Sequence, residues 1–138
     1  KVVLCDRFTD STMAYQGFGR GVEIAFIEHL NGVATQGVMP DMTILLDLPA
    51  HIGLERSLKR HAGSTSEARF EQEDIEFHER VRAGFLVLAK REPVRFRVID
   101  AEDPVDTVVE QVRGVVSAFF NKGIPNLLKG RPINIKYY

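Results

Sequence analysis

Three short apolar runs, at residues 2–5, 42–48 and 96–99, each carry an acid at or near the carboxyl end: Asp6, Asp47 and Asp100. Runs this short, almost unbroken in aliphatic and β-branched residues, suit strands covered on both faces. The segments between them recur at helical intervals instead. Val22, Phe26, Ile27, Leu30, Val33 and Ala34 share such a period across residues 22–34, dented at Asn31-Gly32 and stopped by residues 37–40. A second helix starts near Pro49, where proline suits the first turn, and turns Leu54 and Leu58 inward. After a small, polar, glycine-containing stretch at 61–65, expected to be a mobile loop, residues 72–90 carry Ile75, Val81, Phe85, Leu88 and Ala89 on one side. Residues 104–119 form the last clear helix. The order β-α-β-α-loop-α-β-α predicts an α/β fold with a doubly wound parallel sheet over residues 1–120. Residues 121–138 hold Gly123, Pro125, Gly130 and Pro132 without a firm period and stay unassigned.

Such sheets bind ligands outside the carboxyl ends of their strands. The segment leaving the first run at that edge reads DRFTDSTMAYQGFGRG, from Asp6 to Gly21. A plain turn needs polar residues and glycine, but not an acid, two arginines, a phenol and a carboxamide together. Arg7 offers a planar fork for phosphoryl oxygens, and Asp6 can hold a magnesium ion's water or orient a lysine. On a helix beginning near Asp10 or Ser11, residues Ser11, Thr12, Tyr15 and Gln16 share a face. A salt-bridged strand end followed by a capped helix surface accounts for Asp6, Arg7, Asp10 and Ser11. It does not account for Tyr15 and Gln16 ahead of two glycines.

Composition narrows the class. With 44% apolar residues, 27% charged and a net charge of −1, the 138 residues fit a globular domain without wholesale attraction to nucleic acid or an anionic membrane. No apolar stretch approaches membrane-spanning length. Cys5, the single cysteine, forms no internal disulfide, fits a reducing cytoplasm and is expected to fill the core. The histidines His29, His51, His61 and His78 lack metal-ligand spacing.

DRFTDSTMAYQGFGRG, MPDMTILLDLP, RFEQEDIEFHERVRAGF and VIDAEDP occur in the same order as in bacterial thymidylate kinase, which the chain resembles over residues 2–119. The first and third stretches are specific; LLDLP and IDA alone would be weak. The resemblance implies a P-loop-type nucleoside-monophosphate kinase fold, with thymidine monophosphate (dTMP) and ATP as substrates and Mg2+ as cofactor. Asp6 would position Mg2+ through water and Arg7 would clamp phosphate. Phe8, Ser11, Thr12, Tyr15 and Gln16 would line the acceptor pocket, Thr12 and Gln16 towards thymine and Tyr15 against a ribose 2′-hydroxyl. Phe8 stands where the family usually has tyrosine. Arg56, Lys59 and Arg60, at i, i+3 and i+4, read by themselves as a solvated basic face. With Arg69 they resemble the family's lid, which closes on the transferring phosphoryl group. Asp100 and Ala101 would begin the loop beside adenine. Glu71 is open between ordering the lid, meeting the sugar and plain surface. Arg80 and Arg82 are open between the motif and pairing with Glu71, Glu73, Asp74 and Glu76.

The family's phosphate-binding loop, G-x-x-x-x-G-K-[ST], has no counterpart here. GFGRG lacks its lysine and hydroxyl. The family also sets a strand between the first two runs seen here, and without it both would have exposed edges. These residues are therefore expected to form the carboxyl-terminal portion of a longer kinase, inactive by themselves. The resemblance further implies a homodimer using the helix at 22–34. Other nucleoside-monophosphate or deoxynucleoside kinases, and a non-catalytic nucleotide-binding scaffold, are the alternatives.

Overall fold

A computed structural model describes residues 2–60 and 75–123. Two compact units divide the chain, Lys1–Glu102 and Asp103–Tyr138. In the first, α1 (Thr9–Thr12) runs without a break into a π-helical segment, Met13–Gly19, followed by α2 (Ile24–Thr35), β1 (Thr43–Asp47), α3 (Ala50–Arg60), α4 (Ile75–Arg91) and β2 (Phe96–Asp100). The second holds α5 (Val105–Gly123), entered through a Val108 N–H to Pro104 carbonyl bond of 3.1 Å.

β1 and β2 pair in parallel, from Thr43 opposite Phe96 to Asp47 opposite Asp100. Parallel strands need a long crossover, and here α3 and α4 lie within it. The register brings Asp47 and Asp100 to the same edge, as the apolar runs suggested. α2 ends where Gln36 and Gly37 turn left-handed, at φ 53° and 78°, and the Gly37 N–H closes on the Gly32 carbonyl at 3.0 Å.

The strand expected at residues 2–5 does not form. Among the described residues the sheet has two strands, and neither pairs with this run. A strand exists through the ladder it shares with a neighbour, so apolar side chains alone do not make one. Val3 and Leu4 are accordingly 86% and 90% exposed. Cys5, expected in the core, is exposed too, its thiol donating to the Arg7 carbonyl at 3.3 Å. The loop at 61–65, residues 72–74 of the long helix, and the tail beyond 123 lie outside the described residues.

The core forms on either side of the π-helical segment. Met13 joins Ile27, Leu88, Ala89 and Phe96, while the next residue, Ala14, joins Phe77 and Val81. Two glycines allow this segment to approach α4. A Cβ on Gly19 would come within 2.7 Å of the Phe77 ring, and one on Gly84 within 2.6 Å of Phe18. Phe77 thus covers Gly19, and Phe18 covers Gly84. The segment carrying Tyr15 and Gln16 is held by α4 through this reciprocal fit.

Candidate active site

Arg7 adopts φ 61°, a left-handed conformation that costs a non-glycine residue about 1–3 kcal/mol. The turn aims its guanidinium at Tyr15. Arg7 Nη2 donates to Tyr15 Oη at 2.8 Å, and the guanidinium carbon lies 4.9 Å from the ring centroid. Tyr15 is braced in turn by edge-on contacts with Phe77 and Phe85, at centroid distances of 6.1 and 6.4 Å. Arg7 and the aromatic wall are therefore in direct contact. Asp6 is exposed beside them, Phe8, Ser11 and Gln16 are half-buried, and Thr12 is exposed.

The single helical face expected for Ser11, Thr12, Tyr15 and Gln16 is altered by the wider turn. Ser11 and Thr12 sit on α1, Tyr15 and Gln16 on the π-helical segment. Tyr15 O accepts from the Arg20 N–H five residues on, at 3.1 Å, and Gln16 O from the Val22 N–H at 2.9 Å. Arg20 also donates to Gln16 Oε1 at 3.4 Å and lies 5.1 Å from the Phe77 ring centroid. π-turns of this kind recur at functional sites because they displace side chains that a regular helix would align.

The basic face of α3 disperses. Arg56 donates to the Ala101 carbonyl at 2.8 Å and to the Glu102 carbonyl at 3.4 Å. Lys59 pairs with Glu55 of its own helix at 2.6 Å, both side chains well exposed. The side chain of Arg60, with Arg69 and Glu71, lies outside the described residues. Arg56 thus reaches the loop begun by Asp100 and Ala101. That loop is also tied to β1 by the Ala101 N–H to Asp47 carbonyl bond, 2.8 Å long, and closed by the Glu102 N–H on Asp100 Oδ1 at 2.9 Å.

Arg82 does not pair with Glu76 on its own helix. It grips both carboxylate oxygens of Asp47, Nε to Oδ1 at 2.7 Å and Nη2 to Oδ2 at 2.8 Å. Those hydrogen bonds hold the Asp47 carboxyl below the ordinary carboxylate range. Arg80 turns the other way, donating to the Gly19 carbonyl at 3.1 Å and so helping to fix the end of the π-helical segment.

Sequence reasoning missed Arg95. Arg95 is only 8% exposed, as is Asp10, and Nη1 and Nη2 grip the two Asp10 oxygens at 2.7 and 2.8 Å. Nε and Nη2 hold Glu92 at 2.8 Å each, and Nη1 also donates to Thr43 Oγ1 at 2.7 Å. The Glu92 carboxyl is held below its usual range by these bonds, and Arg95 is raised above its own. The one local signal was the i, i+3 spacing of Glu92 and Arg95. Nothing in that spacing foretells Asp10, far away in the chain.

A family model described as Thymidylate kinase matches residues 1–112. The curated thymidylate kinase of Desulfovibrio desulfuricans is 50% identical over 125 residues, which make up 88% of this chain and 58% of that relative. That of Solidesulfovibrio magneticus is 55% identical over 119 residues, 84% of this chain and 57% of the relative. That of Geotalea uraniireducens is 47% identical over 125 residues, 89% and 59%. The chain therefore spans less than two thirds of the length of these curated relatives.

Proposed function

The chain belongs to the thymidylate kinase family, and from that premise we propose that the whole protein transfers the terminal phosphoryl group of ATP to dTMP. Arg7 clamps phosphate at the transfer centre, and its two-pronged donor set suits oxygens whose charge spreads during transfer. Ser11, Thr12, Tyr15 and Gln16 form the acceptor wall, with Thr12 and Gln16 towards the base. The Tyr15 ring crowds the place of a 2′-hydroxyl and so favours the deoxy sugar. Asp6 presents a lone exposed carboxylate, a donor set that fits Mg2+, which takes one or two such oxygens and keeps its water. Bound there, the ion neutralises phosphate charge. Arg56, Lys59, Arg60 and Arg69 make up the lid, and Asp100 and Ala101 open the adenine loop. Rate enhancement comes from alignment and charge neutralisation, with no covalent intermediate.

The observation that carries this reading is the 2.8 Å bond from Arg7 to Tyr15, which joins the phosphate clamp to the acceptor wall. In the full-length enzyme Arg7→Ala should lower kcat about 10²–10³-fold, the range for losing one preorganised donor at a charged transition state. Turnover of dTMP within twofold of wild type would refute the assignment. Heat protection by dTMP should exceed that by dUMP, dCMP or dGMP, which separates this reading from kinases of other monophosphates.

The acting unit is a homodimer formed through α2. Phe26, Leu30 and Val33 make an exposed apolar stripe at helical spacing on α2, while Ile27 faces the core. Phe26→Glu should convert the dimer to a monomer in sedimentation equilibrium. Among the described residues no helix is long and apolar enough to cross a membrane, and the reaction is assigned to the cytoplasm.

A further inference from the structure

α1 is a four-residue helix with an unusual start. Its N-cap residue is Phe8, and no side chain caps its first amides. It is the first turn of the continuous helical stretch Thr9–Gly19, where the leading amides have no partner inside the helix. Its direction is therefore set from outside. Asn31 Nδ2 reaches the Thr9 carbonyl at 3.4 Å, a long bond. Asp10, in the first turn, is instead gripped at both oxygens by Arg95. Thr43 Oγ1, at the head of β1, lies between them and donates to Asp10 Oδ2 at 3.1 Å. Arg95 is itself fixed from behind by Glu92 and by its stacking on Phe96, 4.4 Å from guanidinium carbon to ring centroid.

We propose that Arg95 is a positioning residue for the acceptor pocket: through Asp10 it sets where α1 presents Ser11 and Thr12 and where the helix delivers Tyr15 and Gln16. The inference rests on the acceptor-wall reading above and extends it to a residue at the head of β2. The coupling runs through one rigid connection. α1 passes into the π-helical segment with no intervening residue, so a tilt at Asp10 is carried to Tyr15, and from Tyr15 Oη to Arg7. A lysine in place of Arg95 keeps the charge but loses the fork that holds two carboxylates at once. Burial makes the pairing matter, since an orphaned Asp10 would sit beneath α1 without its counter-charge.

The test uses the full-length enzyme with Arg95→Met, Arg95→Lys and Asp10→Asn. Kinetics give KM for dTMP, KM for ATP and kcat, calorimetry gives Kd for dTMP, and amide hydrogen exchange is followed across residues 9–19. Arg95→Met should raise KM and Kd for dTMP about tenfold or more, with KM for ATP within about twofold. Arg95→Lys should fall between it and wild type, and Asp10→Asn should shift the same constants. Combining Asp10→Asn with Arg95→Met should add little, because both break one link. If Arg95→Met does not fold, Arg95→Lys and Asp10→Asn decide the matter. Folded variants that melt earlier but bind dTMP as wild type does would overturn the proposal. If wild-type enzyme neither binds nor phosphorylates dTMP, the functional reading fails by itself. The link is then judged by exchange: faster exchange at residues 9–19 in Asp10→Asn supports it, and an unchanged pattern rejects it.

Discussion

Arg7 and Arg95 both bond to the helical stretch Thr9–Gly19, the first to Tyr15 of its π-helical part and the second, from the head of β2, to Asp10 of α1. Arg95 is buried, faces two carboxylates and a threonine hydroxyl, and has its donor fork filled. Arg7 is exposed, sits in a strained left-handed turn, and spends one donor on the phenol oxygen of Tyr15. A guanidinium already matched by anions has little left for a ligand. One held in place by a phenol keeps most of its charge for an incoming anion. The contrast separates a charge committed to the architecture from one left open to a ligand, in keeping with the role proposed for Arg7.

The widest separation between the two should appear in stability. Arg95→Met leaves Asp10 buried without its partner and should cost about 3–5 kcal/mol in chemical denaturation. Arg7→Gly should cost nothing and could add up to about 1 kcal/mol, since glycine accepts the positive φ freely, while abolishing most turnover. A large loss of stability from Arg7→Gly would erase the distinction. Between these extremes lies the fit of the π-helical segment against α4. Gly84→Ala pushes a methyl group into Phe18 and should cost about 1–3 kcal/mol, measured by thermal melting.

Acid should act on the committed charges. Glu92 is held below its ordinary 4.5 by the Arg95 hydrogen bonds, and Asp47 below 3.8 by those from Arg82. A carboxyl lowered in the folded state contributes stability above its unfolded value and loses it as pH falls through the folded one. The urea midpoint should therefore decline once pH drops below about 4.5. Asp47→Asn should lower the neutral plateau and flatten the most acidic part of the decline; an unaltered acid limb would show that the Arg82 pair contributes nothing. The smallest effect belongs to Lys59→Ala, whose exposed partner Glu55 is screened by water. No measurable shift in the denaturation midpoint is expected.

How much of this was legible in the residues follows from how local each signal is. β1 and β2 could be read directly from the apolar runs at 42–48, with Asp47 inside it, and 96–99, with Asp100 after it, and so could α2 to α5 from their periods. Residues 2–5 carry the same kind of run and form no strand, because pairing is a property of two segments and composition describes one. The π-helical segment was invisible for a different reason. Its residues are ordinary helix formers with glycines, and Met13 and Ala14 within it pack into two separate clusters built from distant residues. In the site, the motif pointed to Arg7 and Tyr15, which the structure joins. Asp47 with Arg82, and Asp10 with Arg95, are bonds across long stretches of chain with no sequence spacing to announce them.

The widened turn also restricts what insertions and deletions the chain can bear. Each residue of a regular helix turns the following side chain by about 100°. Losing one residue between Met13 and Gly19 would restore an even spiral but swing Phe18 off Gly84 and carry Tyr15 around the axis, away from Arg7.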